Sequence, residues 1–240
     1  MSNYNYQVRF GPSFTKVVKT LIIINIVIFV IQLFLGRPNL IDQFFALHTS
    51  NTPYGTFYIW QIVTYSFLHG DFFHILFNML TLWMFGSSLE EIWGKKNFLF
   101  FFLSAAIFGA LMTLLVNIFY PQGWVVGASG GIFGIMVAYA LIWPNREVLF
   151  MMIFPIKIKY LVFLIMIPMI FLSNSGNIAH MCHLGGALFG LFYWFVNKRY
   201  KFEFEKYLDL DDIIRRRKFK MYQEEMNNRM QAKDRVDELL

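Results

Sequence analysis

The chain has 240 residues, of which 57% are hydrophobic and only 15% charged, and Phe alone occurs 29 times. A soluble domain of this size carries about 25% charged residues, so the composition excludes an ordinary soluble protein and fits one membrane bundle plus a tail. The formal net charge of +6 does not point to nucleic acid, because the cations sit in short loops and near the C-terminus, where they set membrane topology. The single cysteine, Cys182, rules out an internal disulfide framework and a cysteine-built zinc centre.

In chain order, residues 1–16 are expected to be a cytoplasmic segment. Six apolar stretches follow, at 17–35, 72–89, 98–120, 124–143, 160–172 and 178–196, against the roughly 20 residues that a membrane-spanning helix needs. The first lacks a small-residue cleavage site and reads as a retained span rather than a signal peptide. The fifth is short and carries Pro168, which neighbouring helices tolerate.

Cations decide the orientation. Arg9, Lys16 and Lys19 accompany the start of the first span, and Lys95 and Lys96 separate the second from the third. Arg146, Lys157 and Lys159 lie between the fourth and fifth, and Lys198, Arg199, Lys201 and Lys206 follow the sixth. The alternate loops hold only Arg37, Asp42 and Asp71. The positive-inside rule then puts both termini in the cytoplasm of a multi-pass cell (inner) membrane protein. Its partner is the lipid bilayer, with no nucleic acid.

The long first outer loop, 36–70, holds Phe44, Phe45, Phe57, Tyr58 and Trp60; these aromatics either settle at the membrane–water interface or pack on the bundle. The expected domain is therefore an all-α six-helix bundle over 17–197. Residues 198–240 make a charged, helical cytoplasmic tail, and their basic run at 215–220 is either a solvated face or a contact with anionic lipid.

Polar and ionisable residues inside hydrocarbon are costly and call for a functional explanation. Span two holds His74 and Asn78, span four Ser129, and span six His180 and His183. These three spans run in the same direction, and each of these residues lies within about two turns of its start, a common layer about 10 Å deep. His74 and Asn78 are four residues apart and share a helix face, which suits either two donors converging on one oxygen or polar glue between helices.

The run Gly127-Ala128-Ser129-Gly130-Gly131 matches G-x-S-x-G, but no strand signal precedes it, so the hydrolase nucleophile elbow fails on context. Gly127/Gly131 and Gly130/Gly134 are also G-x-x-x-G pairs. His183, Gly186 and Gly190 share one side of span six, so the small residues would draw it against span four and bring His183 to Ser129. A serine needs a base to take its proton. The only acid between Ser129 and His183 is Glu147, expected on the wrong side of the membrane, so a Ser–His dyad is predicted instead of a triad.

Four motifs together resemble the rhomboid intramembrane serine proteases over roughly residues 17–197: His74 to Asn78 as H-x-x-x-N, Glu90 to Gly94 as E-x-x-x-G, Gly127 to Gly130 as G-x-S-G, and a histidine followed by Gly186 and Gly190 as G-x-x-x-G. The resemblance implies a six-helix fold with Ser129 as nucleophile and His183 as base. It implies an oxyanion site formed by His74, Asn78 and the Ser129 N–H. It further implies no cofactor and no metal, and single-span membrane proteins as substrates, admitted past a mobile fifth helix and cleaved near the outer face. His183, not His180, stands at the family's spacing from the glycine pair. His69 resembles a structural histidine of the first loop. Two positions depart from the family: Trp60 is followed by Gln61 where many members have Arg, and Phe133 stands where many have a Tyr stacked on the histidine. A non-catalytic rhomboid-like protein that binds membrane helices is the alternative, as is a transporter lined by the polar layer.

Overall fold

The computed structural model describes residues 12–36, 38–49, 55–118, 123–150, 154–171 and 177–199. The first helix, α1 (Lys16–Leu35), has 20 residues and is about 30 Å long, the thickness of the hydrocarbon core. Its outward residues are apolar (Ile23, Ile26, Val30 and Phe34), whereas its buried side carries Asn25 and Gln32 beside Val18, Leu21 and Phe29. Lipid takes the apolar face, and polar groups turn inward to find partners.

The start of α1 is capped from another helix. Thr15 Oγ1 donates to Glu90 Oε2 at 2.5 Å, Val17 N–H to Oε1 at 3.0 Å and Val18 N–H to Oε2 at 2.9 Å. A carboxylate there satisfies amides that have no partner within their own helix and complements the positive end of the helix dipole.

The loop after α1 is built, not loose. Helix α2 (Leu40–Phe45) starts at a reciprocal Asn39/Asp42 cap. Strand β1 (Leu47–His48), helix α3 (Gln61–Thr64) and a 3-10 turn over Tyr65–Phe67 follow. Gln61, buried in the place of the family's Arg, accepts from His48 N–H at 3.1 Å and donates to Thr56 O at 3.0 Å. The loop aromatics pack mainly on one another and on the loop backbone. Trp60 donates to Phe44 O and stacks on Tyr58 at 4.6 Å, yet it stays exposed along with Phe44, Phe45 and Phe57.

Helix α4 (Phe72–Thr81), capped by Asp71, passes through one wide π turn (Leu82–Gly86) into α5 (Ser87–Asn117). Together these 46 residues measure about 69 Å, more than twice the hydrocarbon thickness. They cross twice because Gly94 breaks the run at φ 75, ψ 163, a conformation that residues with a Cβ avoid. The expected boundaries at 89 and 98 are thus corrected: helix continues past Leu89 to Trp93 and resumes at Lys95, with the turn confined to one glycine.

The expected start of the fourth span at Trp124 is also corrected. Trp124–Val125 is strand β2, paired antiparallel with β1, and helix α6 begins at Ser129 and ends at Ile142. Gly123 and Gly127 have φ 49 and 128, which no α-helix accommodates. A two-residue antiparallel bridge therefore precedes the serine, where the sequence carries no strand signal. Beyond α6, strands β3 (Glu147–Phe150) and β4 (Phe154–Lys157) form a hairpin that sequence patterning missed. Helix α7 (Ile158–Phe171) contains Pro168, and α8 (Asn177–Arg199) closes the bundle. Among the described residues, three helical runs are long and apolar enough to cross a membrane, at Lys16–Leu35, Phe72–Asn117 and Ala179–Val196, with the shorter apolar helices α6 and α7 beside them, a multi-pass helical bundle. The calls on residues 1–11 and on the tail beyond Arg199 fall outside the described residues.

Small residues let the crossings approach. A Cβ on Gly186 would run into the Gly130 carbonyl, and one on Gly190 would stand 2.7 Å from Gly134 O. Spans four and six therefore meet backbone to backbone.

Candidate active site

Helix α6 has 14 residues, about 21 Å, against about 30 Å of hydrocarbon. Its C-terminal end is marked by Trp143 and Arg146, whose guanidinium lies 5.7 Å from the Trp143 ring. Ser129 opens this helix, which is shorter than the hydrocarbon is thick. As the first helical residue, it presents its N–H among the amides that no turn of the helix satisfies.

The Gly130/Gly186 contact brings the first turn of α6 against the third turn of α8. His183 Nε2 lies 2.8 Å from Ser129 Oγ. The Phe133 ring, one turn further along α6, stacks on the His183 imidazole at 4.3 Å between centroids and 3° between planes. This contact fixes the plane of the imidazole. His180 is buried one turn earlier on α8; of the two histidines, His183 is the one beside the serine.

Helix α4 brings His74 and Asn78 to the same level. Gly70 N–H donates to His74 Nδ1 at 3.3 Å. An imidazole that accepts at Nδ1 carries its proton at Nε2 when neutral. That Nε2 faces Gly127: a Cβ built there would stand 2.7 Å from it and 3.7 Å from Asn78 Nδ2. Asn78 is 7% exposed, and its Nδ2 has no hydrogen-bond partner. A buried unpaired donor costs about 1–3 kcal/mol, so its retention is a mark of function. Two side-chain donors and the α6 N-terminus converge beside a glycine whose missing Cβ lets the His74 ring approach the chain.

The remaining predicted residues divide in two. His69 is fully buried; its N–H donates to Gln32 Oε1 at 3.1 Å, and its ring meets His74 edge-on at 5.1 Å, so it backs the α4 donor. Trp60 lies in the outer-loop aromatic stack, away from the serine. Glu90 and Gly94 sit midway along the α4–α5 run, where they cap α1 and turn the chain. Among the described residues, no three His, Cys, Asp or Glu side chains gather as a metal ion requires.

Sequence reasoning missed three participants. Gln32 donates to Asp42 Oδ1 at 2.9 Å while accepting from His69; the cost of a polar group in a span, applied above to spans two, four and six, would have found it in span one. Tyr65 and Cys182 carried no such signal. The Tyr65 carbonyl accepts the Gly127 N–H at 2.9 Å, and its phenol oxygen lies 3.2 Å from Cys182 Sγ.

Residues 56–200 match the family model of the rhomboid domain. The chain belongs to the rhomboid family. This rhomboid is 30% identical over 150 residues to "Rhomboid protein 1, mitochondrial" of Saccharomyces cerevisiae, a match covering 58% of the chain and 42% of the yeast protein. It is 31% identical over 133 residues to "Rhomboid protease GluP" of Bacillus subtilis, covering 55% of the chain and 25% of GluP. It is also 31% identical over 138 residues to "Putative rhomboid protease YdcA" of the same organism, covering 55% of the chain and 63% of YdcA. The matches thus span less than two thirds of each of these relatives.

Proposed function

We propose that this rhomboid is an intramembrane serine endopeptidase that cleaves transmembrane segments of single-span membrane proteins near the outer face, using Ser129 and His183 as a dyad. The observation that carries it is the 2.8 Å separation of Ser129 Oγ and His183 Nε2, within reach for proton transfer. The protease domain covers 17–197, in a cell membrane with both termini cytoplasmic.

In the first step Ser129 Oγ attacks the scissile carbonyl carbon and its proton passes to His183 Nε2. The tetrahedral oxyanion forms beside Gly127, where it accepts from His74 Nε2–H, Asn78 Nδ2–H and the Ser129 N–H; one such donor contributes about 3 kcal/mol. The C–N bond then breaks and His183 returns the proton to the leaving amine. Water, deprotonated by His183, attacks the acyl-enzyme, and the carboxylic acid leaves as Ser129 regains its proton.

The test compares Ser129→Ala with the parent on a model single-span substrate in detergent, alongside labelling by a fluorophosphonate probe. The parent is expected to cleave and to be labelled, and the variant to do neither. Cleavage that survives in Ser129→Ala, or a parent that neither cleaves nor is labelled, refutes the assignment.

A further inference from the structure

Tyr65 lies in the outer loop, outside the set His74, Asn78, Ser129 and His183, and is fully buried. It holds the site from two ends. Its carbonyl accepts the N–H of Gly127 at 2.9 Å, in the turn between the oxyanion donors and the serine. Its hydroxyl donates to Ala106 O of α5 at 2.7 Å and lies 3.2 Å from Cys182 Sγ of α8, whose chain neighbour is His183. The same oxygen and the same sulfur flank Gly130 of α6: a Cβ there would stand 2.7 Å from the hydroxyl and 3.0 Å from Sγ. One side chain thus touches the helix of the serine, the helix of the histidine and α5, which packs on both, while its own backbone fixes the turn that presents the serine.

We infer that Tyr65 is a positioning residue for the reaction, its carbonyl setting the Gly127–Ser129 turn and its phenol, through Cys182, setting the height of α8, so that Ser129 and His183 are held in one frame. This rests on the endopeptidase reading above. The physical reason is leverage. Gly127, Gly130 and Gly186 have no side chains with which to lock the α6–α8 contact, so backbones that meet on glycine slide unless a third group pins them. In hydrocarbon a buried hydroxyl keeps its partners because no water competes for them. Proton transfer between Oγ and Nε2 is sensitive to displacements of an ångström or less.

Tyr65→Phe removes the hydroxyl while keeping the ring and the carbonyl. The expected result is a fall in kcat of about ten-fold, with KM within two-fold, since misplacement of the reacting atoms acts on the chemical step. The rate of fluorophosphonate labelling at Ser129 falls by the same factor, because that reaction needs no docked transmembrane segment. Cys182→Ala lowers both rates in the same direction. The double variant loses less than the product of the two single losses, because the two changes share the Tyr65–Cys182 link.

A well-folded Tyr65→Phe with parental labelling rate overturns the inference, as does a double variant whose losses multiply. Should Tyr65→Phe fail to fold, Cys182→Ala decides by the same two rates. A parent that is labelled alongside an unaffected Tyr65→Phe refutes only the role of Tyr65, whereas a parent that is never labelled refutes the endopeptidase as well.

Discussion

Asn78 gives the sharpest test of how the site was built, because its two expected effects differ in kind. In the folded chain its amide nitrogen is buried without a partner, a cost of about 1–3 kcal/mol. Asn78→Ala removes that cost and leaves a small gap whose lost packing is of similar size, so stability should change by no more than about 1 kcal/mol, or about 2–4 °C in Tm. The rate should respond very differently. A donor aimed at the developing oxyanion contributes about 3 kcal/mol, which at 1.36 kcal/mol per factor of ten lowers kcat on the order of 100-fold. KM should stay within two-fold, because the donor acts on charge that exists only in the transition state. The assay is initial-rate cleavage of a single-span substrate in detergent over a range of substrate concentrations, with a thermal melt of the same samples. A kcat within three-fold of the parent, together with a Tm lowered by 10 °C or more, would show that Asn78 serves as interhelical glue, and the oxyanion argument would fall.

Phe133→Ala deletes the ring stacked on His183; since such pairs contribute about 0.5–1.5 kcal/mol, kcat should drop roughly two- to ten-fold, while Phe133→Tyr, which keeps the ring, should stay near the parental rate. Gly186→Ala forces a methyl group into the Gly130 carbonyl, so it should lose more than the 1–3 kcal/mol of ordinary overpacking and take activity with it, read as a lower melting temperature and slower probe labelling. Glu90→Ala strips the three donors at the start of α1 of their shared acceptor. It should destabilise the bundle by about 2–4 kcal/mol in a detergent melt, with Glu90→Gln costing less because a side-chain oxygen remains.

The crossings were legible from sequence because bilayer thickness converts directly into a length of apolar chain, and no partner is needed to read it. The polar layer was legible for a related reason: hydrocarbon penalises His74, Asn78, Ser129 and His183 wherever they sit, so their presence at one depth stood out. Gln32 in α1 carries the same signal, but nothing nearby in sequence announced its partners Asp42 and His69. Helix ends were less legible. Trp124 continues an apolar run but belongs to β2, since its place is set by pairing with His48, a residue 76 positions earlier in the chain. Gly94 alone turns the chain between two crossings, and only its φ of 75, imposed by the packing on either side, separates it from the helical glycines of α6 and α8.

By itself, then, the sequence determined that this is a multi-pass membrane bundle with a serine, three histidines and an asparagine near the starts of three of its apolar stretches, because hydropathy, charge bias and residue chemistry are local properties. The tertiary structure decided how closely His183 meets the serine, that Phe133 lies flat on it, and that Tyr65 and Cys182 stand behind both. Those are contacts between segments 50 or more residues apart (54 between Ser129 and His183, 117 between Tyr65 and Cys182). Contacts of that kind depend on how closely backbones approach, which here is set by glycines whose effect appears only once the helices are packed.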